Sequence, residues 1–300
     1  MSSVFFCLVM CMFKCPHCKK DNAVKHGIRK NKSGFVQKYL CMDCDKFFVK
    51  RDGFEHMKTK PEIIVTALDL RAKGLSFGKI QDHIFQKYKV KVSRSNILYW
   101  QQKFGEMIDN FTKSFQLSHS FNLHADEIFF KTKGQIPGEF IYYWDAIDYD
   151  TKFLVADHIS LERSEDQAKT FMTNIKNNIM KYPEFMHTDN SYDYPPSIRK
   201  TFGRGNVIHI HFPAWKHKFK NNPIERFHNT IKENYKTMRR FNKIESAQKY
   251  LTFFRNYYNY LRPHKTLNWQ TPSQIAGLGQ WTWYKIIKSQ ISPKTSYYLS

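Results

Sequence analysis

Four cysteines near the start of the chain form two close pairs, Cys15 with Cys18 and Cys41 with Cys44. Each pair encloses two residues, which is typical of a knuckle that binds zinc through two thiolates, and two such pairs complete a tetrahedral site. We therefore predict a structural Zn2+ site in a small ribbon over residues 12–58. Two disulfides are the alternative, but a cysteine cluster at one end of an otherwise cysteine-free chain argues against a secreted scaffold.

Three carboxylates farther along the chain suit catalysis: Asp126, Asp189 and Glu225. Asp126 lies inside an apolar strand-like segment, where a charge is costly unless it is paired or bound to a metal. Asp189 ends another such segment, and Glu225 lies in the first turn of a predicted helix. Hard oxygen donors on separate elements suit two Mg2+ (or Mn2+) ions, and two ions stabilise the attacking and leaving oxygens of a displacement at phosphorus. The predicted chemistry is phosphodiester cleavage or transfer.

Taken singly, each acid also has a structural interpretation. Glu225 is equally explained by the preference for acids at a helix N-terminus. Asp189 is equally explained as the cap of the turn that follows it. Asp126 is equally explained as a satisfied buried acid, or as the neighbour of the true ligand, Glu127. The context around all three acids therefore has to decide.

The elements that must position these acids show a mixed α/β pattern. Strands are predicted at 121–131, 139–147, 152–159, 184–188 and 206–212, with the first two joined through Gly134-x3-Gly138. Helices are predicted at 165–180, 223–241 and 244–261, with another short helix before the last strand. This order indicates a mixed sheet with helices on its faces. We place the core at 119–276 and a polar-aromatic tail at 277–300.

Residues 60–112 have a helical period that precedes this core. Gly74 and the 89–92 turn divide it into three helices, and Ser93 is the predicted N-cap of the third. Core positions are predicted at Ile80, Ile84, Phe85, Ile97, Leu98, Trp100 and Phe104. Arg94, Ser95 and Asn96 open the third helix, where a recognition helix contacts bases in the major groove. The segment is thus a predicted helix-turn-helix, and a three-helix bundle without a DNA role is its alternative.

The charge balance favours a polyanionic partner. The chain has 48 Lys and Arg against 26 Asp and Glu, a net charge of +22, and nucleic acid is the first candidate for such an excess. Residues 199–240 carry eleven Lys and Arg and two acids, which predicts a DNA groove beside Glu225. Arg226 and Lys232 are the predicted DNA contacts, and His228 is either an assistant or an ordinary packing histidine. A solvated charged face is the alternative for this segment.

No stretch approaches the roughly 20 apolar residues that a spanning helix needs, so we predict no membrane partner. The apolar segment 4–13 lacks the basic start of a signal peptide. We expect a cytoplasmic, nucleoid-associated prokaryotic protein. Met12 lies three residues before Cys15, where a conventional start of the zinc ribbon would lie. Residues 1–11 are therefore interpreted as a mis-assigned start, and Cys7 and Cys11 as plain apolar residues.

The order and spacing of the three acids resemble those of DDE transposases and retroviral-type integrases. There are 62 residues between Asp126 and Asp189, and 35 between Asp189 and Glu225. Residues 221–228 (NNPIERFH) are similar to the family's glutamate helix, and Lys232 matches its customary basic residue. Thr188-Asp189-Asn190 is similar to the second-aspartate motif, and 260–265 with 271–273 to the closing segment. With a zinc ribbon and a helix-turn-helix in front, the chain most resembles small prokaryotic insertion-sequence transposases.

The resemblance implies an RNase H-like core that hydrolyses the transposon end, exposes a 3′ hydroxyl and directs it to attack target DNA. It also implies double-stranded DNA as the partner, at both transposon ends and target, and a dimer or larger oligomer that holds two ends. Two alternatives remain: a zinc and helix-turn-helix DNA-binding protein whose core has lost catalysis, and a metal-dependent nuclease of the same fold.

Overall fold

The computed structural model describes residues 14–31, 34–49, 52–118, 122–132, 140–189, 191–211, 222–238, 240–241 and 243–289. Several predictions fall outside these residues: the mis-assigned start with Cys7, Cys11 and Met12, the Gly134-x3-Gly138 connection, Asn190, Asn221 and the end of the tail. The chain divides into two compact units, with divisions after Val65 and after Ile287. Each unit is described by itself.

The first unit contains a small antiparallel sheet. Its strands are β1 (Ala23–Asn31), β2 (Gly34–Cys41) and β3 (Phe47–Val49), in that order. The buried cluster consists of Cys15, Ala23, Tyr39, Cys41 and Phe48, with Cys18 and Cys44 packed against it. So few apolar residues make a weak core, and small domains of this kind depend on a metal for folding. The cysteine cluster on this sheet fits the predicted zinc ribbon.

Three helices follow: α1 (Pro61–Ala72), α2 (Phe77–Tyr88) and α3 (Arg94–Thr112). Ser93 is the N-cap of α3, because its Oγ accepts a hydrogen bond from the Asn96 backbone N–H at 3.1 Å. Most predicted core positions are buried, but Phe85 is 46% exposed and Leu98 39% exposed. Those two predictions were wrong because Ile84 and Ile97 occupy the inward stripe, and the next residue of a helix is rotated about 100° away from it.

A five-stranded mixed sheet forms the centre of the second unit. Its strands are β4 (Asn122–Lys131), β5 (Phe140–Asp148), β6 (Leu154–Ser160), β7 (Phe185–Thr188) and β8 (Ile208–His211). The spatial order is β6-β5-β4-β7-β8; the first three strands are antiparallel, and β7 and β8 run parallel to β4. This order, with the first strand at the centre, is the RNase H-like arrangement. The predicted α/β class is confirmed.

Helices cover both faces of this sheet. On one face lie α4 (Glu165–Asn177) and α5 (Tyr194–Phe202), whose Phe171 and Tyr194 pack on Trp144. On the other lie α6 (Asn222–Met238) and α7 (Ile244–Tyr260), and Phe227 of α6 contacts Tyr143. Tyr143 and Trp144 are adjacent in β5 and fully buried, so alternation along one strand fills both layers. No helix among the described residues is long and apolar enough to span a bilayer.

The third helix, α3, packs directly on α7. A Cβ added to Gly105 of α3 would lie 3.2 Å from Phe253 of α7, and Thr112 donates to Asn256 at 3.0 Å. The last helices of the described residues are α8 (Pro272–Ile275) and α9 (Trp283–Ser289). Part of the predicted tail is therefore ordered, because Trp283 and the Ile286–Ile287 pair give α9 a buried apolar face.

Candidate active site

The four cysteines of the first unit form a compact sulfur cluster. Their ligand atoms all lie within 4.8 Å of one another, and Cys15 and Cys41 are fully buried. The Sγ atoms of Cys15 and Cys44 are 3.7 Å apart, and those of Cys18 and Cys41 are 3.5 Å apart. A tetrahedral zinc ion with bonds of about 2.3 Å separates its sulfurs by about 3.8 Å. The donor set therefore fits zinc, and none of the four cysteines is in a disulfide.

The two knuckles repeat the same backbone turn. Lys19 N–H donates to Cys15 C=O and Asp45 N–H donates to Cys41 C=O, both at 2.9 Å. Lys19 and Asp45 have left-handed φ angles of 67° and 53°. The same local geometry thus turns each cysteine pair towards the common centre, as the paired spacing predicts.

Four aspartates occupy matching positions on neighbouring strands of the large sheet. Asp126 of β4 is paired in register with Asp145 of β5, which is paired with Asp157 of β6. On the other side of β4, the parallel register pairs His124 with His187, and two residues farther along lie Asp126 and Asp189. We call Asp157, Asp145, Asp126 and Asp189 the aspartate row. The central strand therefore carries Asp126 into the middle of an acidic line.

Basic side chains from the covering helices contact the acids of the row, beginning with Asp157 and Asp145. Arg255 of α7 forms ion pairs with Asp157 and with Asp109 of α3. His228 of α6 lies between the next two acids, with its Nε2 2.7 Å from Asp145 Oδ2 and its Nδ1 3.7 Å from Asp126 Oδ2. Asp145 is fully buried, whereas the side chain of Asp126 keeps 24% of its exposure. Solvent thus reaches the part of the row that contains Asp126 and Asp189, whose side chain is 43% exposed.

Burial and charge shift the pKa values of this group in opposite directions. Burial raises the pKa of Asp126, and raises that of Asp145 to about 6, while the charge of His228 opposes both changes. Burial alone would lower the pKa of His228, but the charge of Asp145 and its hydrogen bond raise it above the ordinary value. His228 thus lies between two carboxyl groups whose charge favours its protonated form.

Glu127, the alternative to Asp126, has protein partners on the opposite face. Tyr194 donates to Glu127 Oε2 at 2.5 Å, and Arg163 lies 2.5 Å from Oε1. The same guanidinium is 3.5 Å from Asp189 Oδ2 and 3.8 Å from Asp193 Oδ2. Burial raises the pKa of Glu127 to about 7, against the effects of Tyr194 and Arg163. Both carboxylate oxygens of Glu127 already have protein partners. Asp126 is therefore the better candidate metal ligand.

Glu225 lies in the first turn of α6, three residues before His228. Ile224, Phe227 and Ile231 form the buried stripe of this helix, and Glu225 is exposed. Among the described residues, the cysteine cluster is the one group of three or more His, Cys, Asp or Glu side chains with all ligand atoms within 4.8 Å. The structure therefore brings Asp126 and Asp189 to adjacent strands and leaves the Glu225 carboxylate outside such a group.

The predicted DNA contacts are all exposed: Arg94, Ser95, Asn96, Arg226 and Lys232. Lys232 is close enough to the row for its charge to oppose protonation of His228. Arg94 donates from Nε to Gln81 Oε1 at 3.2 Å, and Gln81 donates to Val92 C=O at 2.6 Å. These bonds fix the turn before α3 and leave the start of that helix open to a ligand.

Sequence reasoning missed Asp145, Arg163 and Arg255. The signal for Asp145 was available, because it is a charged residue inside an apolar strand, as Asp126 is. Arg163 lies between β6 and α4, and Arg255 lies in an aromatic helix. Their roles depend on acids more than 20 residues away in the chain, such as Asp189, so no local pattern marks them.

Comparison with known proteins finds a family match within the second unit. Residues 120–264 match a family model described as a DDE domain (DDE_Tnp_IS240). No curated protein matches the chain.

Retroviral integrases are among the similar solved structures. The catalytic core domain of BIV integrase has a TM-score of 0.39 and 15% identity, over 53% of this chain and 95% of that one. The HTLV-2 integrase catalytic core domain in complex with magnesium (dimeric form) has a TM-score of 0.38 and 14% identity, over 54% of this chain and 98% of that one. The simian T-cell lymphotropic virus intasome in complex with PP2A regulatory subunit B56 gamma has a TM-score of 0.41 and 11% identity, over 67% of this chain and 74% of that one.

Proposed function

We propose that this chain, whose residues 120–264 match a family model of the DDE domain, is a transposase that cleaves the ends of an insertion sequence and joins them to target DNA. The coarser activity is that of a polynucleotidyl transferase. In the first step water attacks a phosphodiester at the transposon end, and the departing 3′ oxygen takes a proton. In the second step that 3′ hydroxyl attacks a target phosphodiester, whose own 3′ oxygen leaves.

The aspartate row is the observation that supports this proposal most. Two neighbouring members of the row, Asp126 within β4 and Asp189 directly after the parallel strand β7, offer carboxylate oxygens, the ligands that Mg2+ prefers. We propose that these two acids and Glu225 hold two Mg2+ or Mn2+ ions. When bound, such ions stabilise charge on the attacking and leaving oxygens. Because Glu225 is exposed on α6, we propose that its side chain joins the aspartates when DNA and metal bind.

The other residues of the site position these acids and the DNA. His228, held by buried Asp145, faces Asp126 at 3.7 Å, and we propose that it orients this carboxyl group, as outer partners of metal ligands do. Lys232 and Arg226 are proposed to contact phosphates beside the scissile bond. Their exposure on the helix that carries Glu225 makes them available for this role.

DNA recognition is proposed for the N-terminal part of the chain. The ribbon at 12–58 would hold Zn2+ through Cys15, Cys18, Cys41 and Cys44, and the helix-turn-helix at 60–112 would read bases through Arg94, Ser95 and Asn96. Joining requires two transposon ends together, so we propose a dimer or larger oligomer on DNA. The reaction would occur on the nucleoid of a prokaryotic cytoplasm.

The proposal is tested with the full chain, Mg2+ and end-labelled DNA that carries the terminal inverted repeats of its element. Those repeats are found by searching the DNA on both sides of the gene. Joined products support a transposase. Nicked DNA without joined products contradicts strand transfer and supports a nuclease of this fold, whereas a shifted but uncut band supports a DNA-binding protein without catalysis.

A further inference from the structure

A basic cleft lies beside the helix that carries Glu225. It has a cavity volume of about 770 Å3, and its walls are α6, the turn between β5 and β6, and the segment after α7. Four of its lining residues are cations: Lys152, Arg226, Arg262 and Lys265. Asp150 is the one acid among its described lining residues. The balance of charge suits a polyanionic chain.

Exposed aromatic rings accompany the cations of this cleft. Tyr149 is 43% exposed, and the Nζ of Lys152 lies 4.2 Å from the centre of its ring. Trp269 is 65% exposed, and the Nζ of Lys265 lies 5.7 Å from the centre of its ring. His124 also stacks on Tyr149, with ring centres 5.2 Å apart, so Trp269 is the better candidate to stack on a base. Cations beside an exposed aromatic ring are typical of surfaces that bind phosphates and stack unpaired bases.

The backbone holds Trp269 in a conformation that burial does not explain. Asn268 and Trp269 have left-handed φ angles of 51° and 64°, which bulky side chains rarely adopt. Trp269 N–H donates to His264 C=O at 2.9 Å, and His264 N–H donates to Gln270 C=O at 3.0 Å. These bonds fix the loop, yet the indole remains largely in solvent. A strained position that presents a large ring to solvent is typical of a binding site.

We propose that the basic cleft binds a single-stranded segment of DNA, with phosphates along its four cations and a base stacked on Trp269, whose ring lies beside the lining residue Lys265. Paired bases in a duplex do not offer their faces to protein rings, so the exposed Trp269 ring selects unpaired DNA. The inference rests on the proposed function, because strand cleavage beside Glu225 is what supplies an unpaired segment. Arg226, the residue after Glu225, links the cleft to that site.

Binding is tested in the full chain with Asp126→Asn, so that the result does not depend on cleavage. Fluorescence anisotropy gives the Kd for labelled oligothymidylate of about 15 nucleotides and for a duplex of equal length. Trp269→Ala and Lys265→Ala are the test variants, and Trp269→Phe retains a stacking ring. Tyr182→Ala and Lys169→Ala are the controls: Tyr182 is 42% exposed with the Nζ of Lys176 5.3 Å from its ring centre, outside the cleft, and Lys169 is exposed on α4.

We expect Trp269→Ala to raise the Kd for the single strand about tenfold and Lys265→Ala to raise it severalfold. Trp269→Phe and both controls should stay within about twofold of the parent, as should duplex binding by every variant. The inference is overturned if single-strand binding survives both test variants, or if duplex binding falls equally. If the wild-type chain neither cuts nor joins DNA, the proposed function is refuted. If single-strand binding still requires Trp269 in that case, the cleft remains a single-strand binding site.

Discussion

His228 of α6 and Asp145 of β5 are 83 residues apart in the chain and share a buried hydrogen bond of 2.7 Å. The other ring nitrogen of His228 faces Asp126 at 3.7 Å. A helix and two strands are therefore tied together at the residue that we propose as a metal ligand. The bond explains why His228 is buried on a helix whose neighbouring positions carry charge.

Asp145→Asn tests this positioning role. The amide cannot neutralise His228, so Asp126 loses its fixed orientation, and partners of this kind contribute about 10- to 100-fold to metal affinity or activity. We expect the Mg2+ concentration for half-maximal cleavage to rise at least tenfold, with binding to terminal DNA unchanged. Cleavage rates across a Mg2+ titration provide the measurement, and Asp166→Asn, exposed on α4, is the control. A loss of folding without a shift in Mg2+ requirement would make the pair merely structural.

The zinc ribbon makes a separate prediction. Cys18→Ser removes one thiolate of four and should abolish stoichiometric zinc, because structural zinc sites need their full ligand set. Metal analysis of the purified chain should give one zinc per wild-type chain, and limited proteolysis should cut the variant within residues 14–58. Cys7→Ser is the matched control and should retain zinc. Full zinc in the Cys18 variant would contradict the assignment.

Arg255 should stabilise the second unit. It neutralises Asp157 of β6 and Asp109 of α3, so Arg255→Met leaves the largely buried Asp157 carboxylate without a cation and leaves Asp109 with the exposed Lys113 alone. Removing one partner of a buried ion pair costs about 3–5 kcal/mol. Urea unfolding should show a loss of that order, and Lys249→Met, on the exposed face of the same helix, should change little. A loss below about 1 kcal/mol would show that solvent screens these charges.

The two kinds of predicted DNA contact differ in sequence dependence. Arg94→Ala or Asn96→Ala should weaken binding to the terminal repeat by about 1–3 kcal/mol, because base contacts carry specificity. Lys232→Ala should weaken binding to all sequences similarly and lower the salt slope by about one. Competition binding at several salt concentrations separates the two. Equal loss on repeat and random DNA for the α3 variants would remove them from base recognition.

Much of this architecture is predictable because its signals are local. Paired cysteines predict their own knuckles, and alternation predicts β4 to β6 within two residues. The row was hidden because register decides it: Asp126 faces Asp145 only when β4 and β5 pair as they do. The predicted burial of Phe85 and Leu98 was wrong for a related reason. Apolar character alone does not determine which of two adjacent helical residues faces the core.

The central claim is that Asp126, Asp189 and Glu225 act together on the phosphodiester, and single-turnover cleavage of terminal DNA in Mg2+ tests it most directly. Glu233→Gln, exposed two turns along α6 from Glu225, is the matched control. We predict that Asp126→Asn, Asp189→Asn and Glu225→Gln each abolish cleavage while DNA binding persists, and that the control cuts normally. Wild-type cleavage by any one of the three variants would contradict the account for that acid, and by all three would refute it.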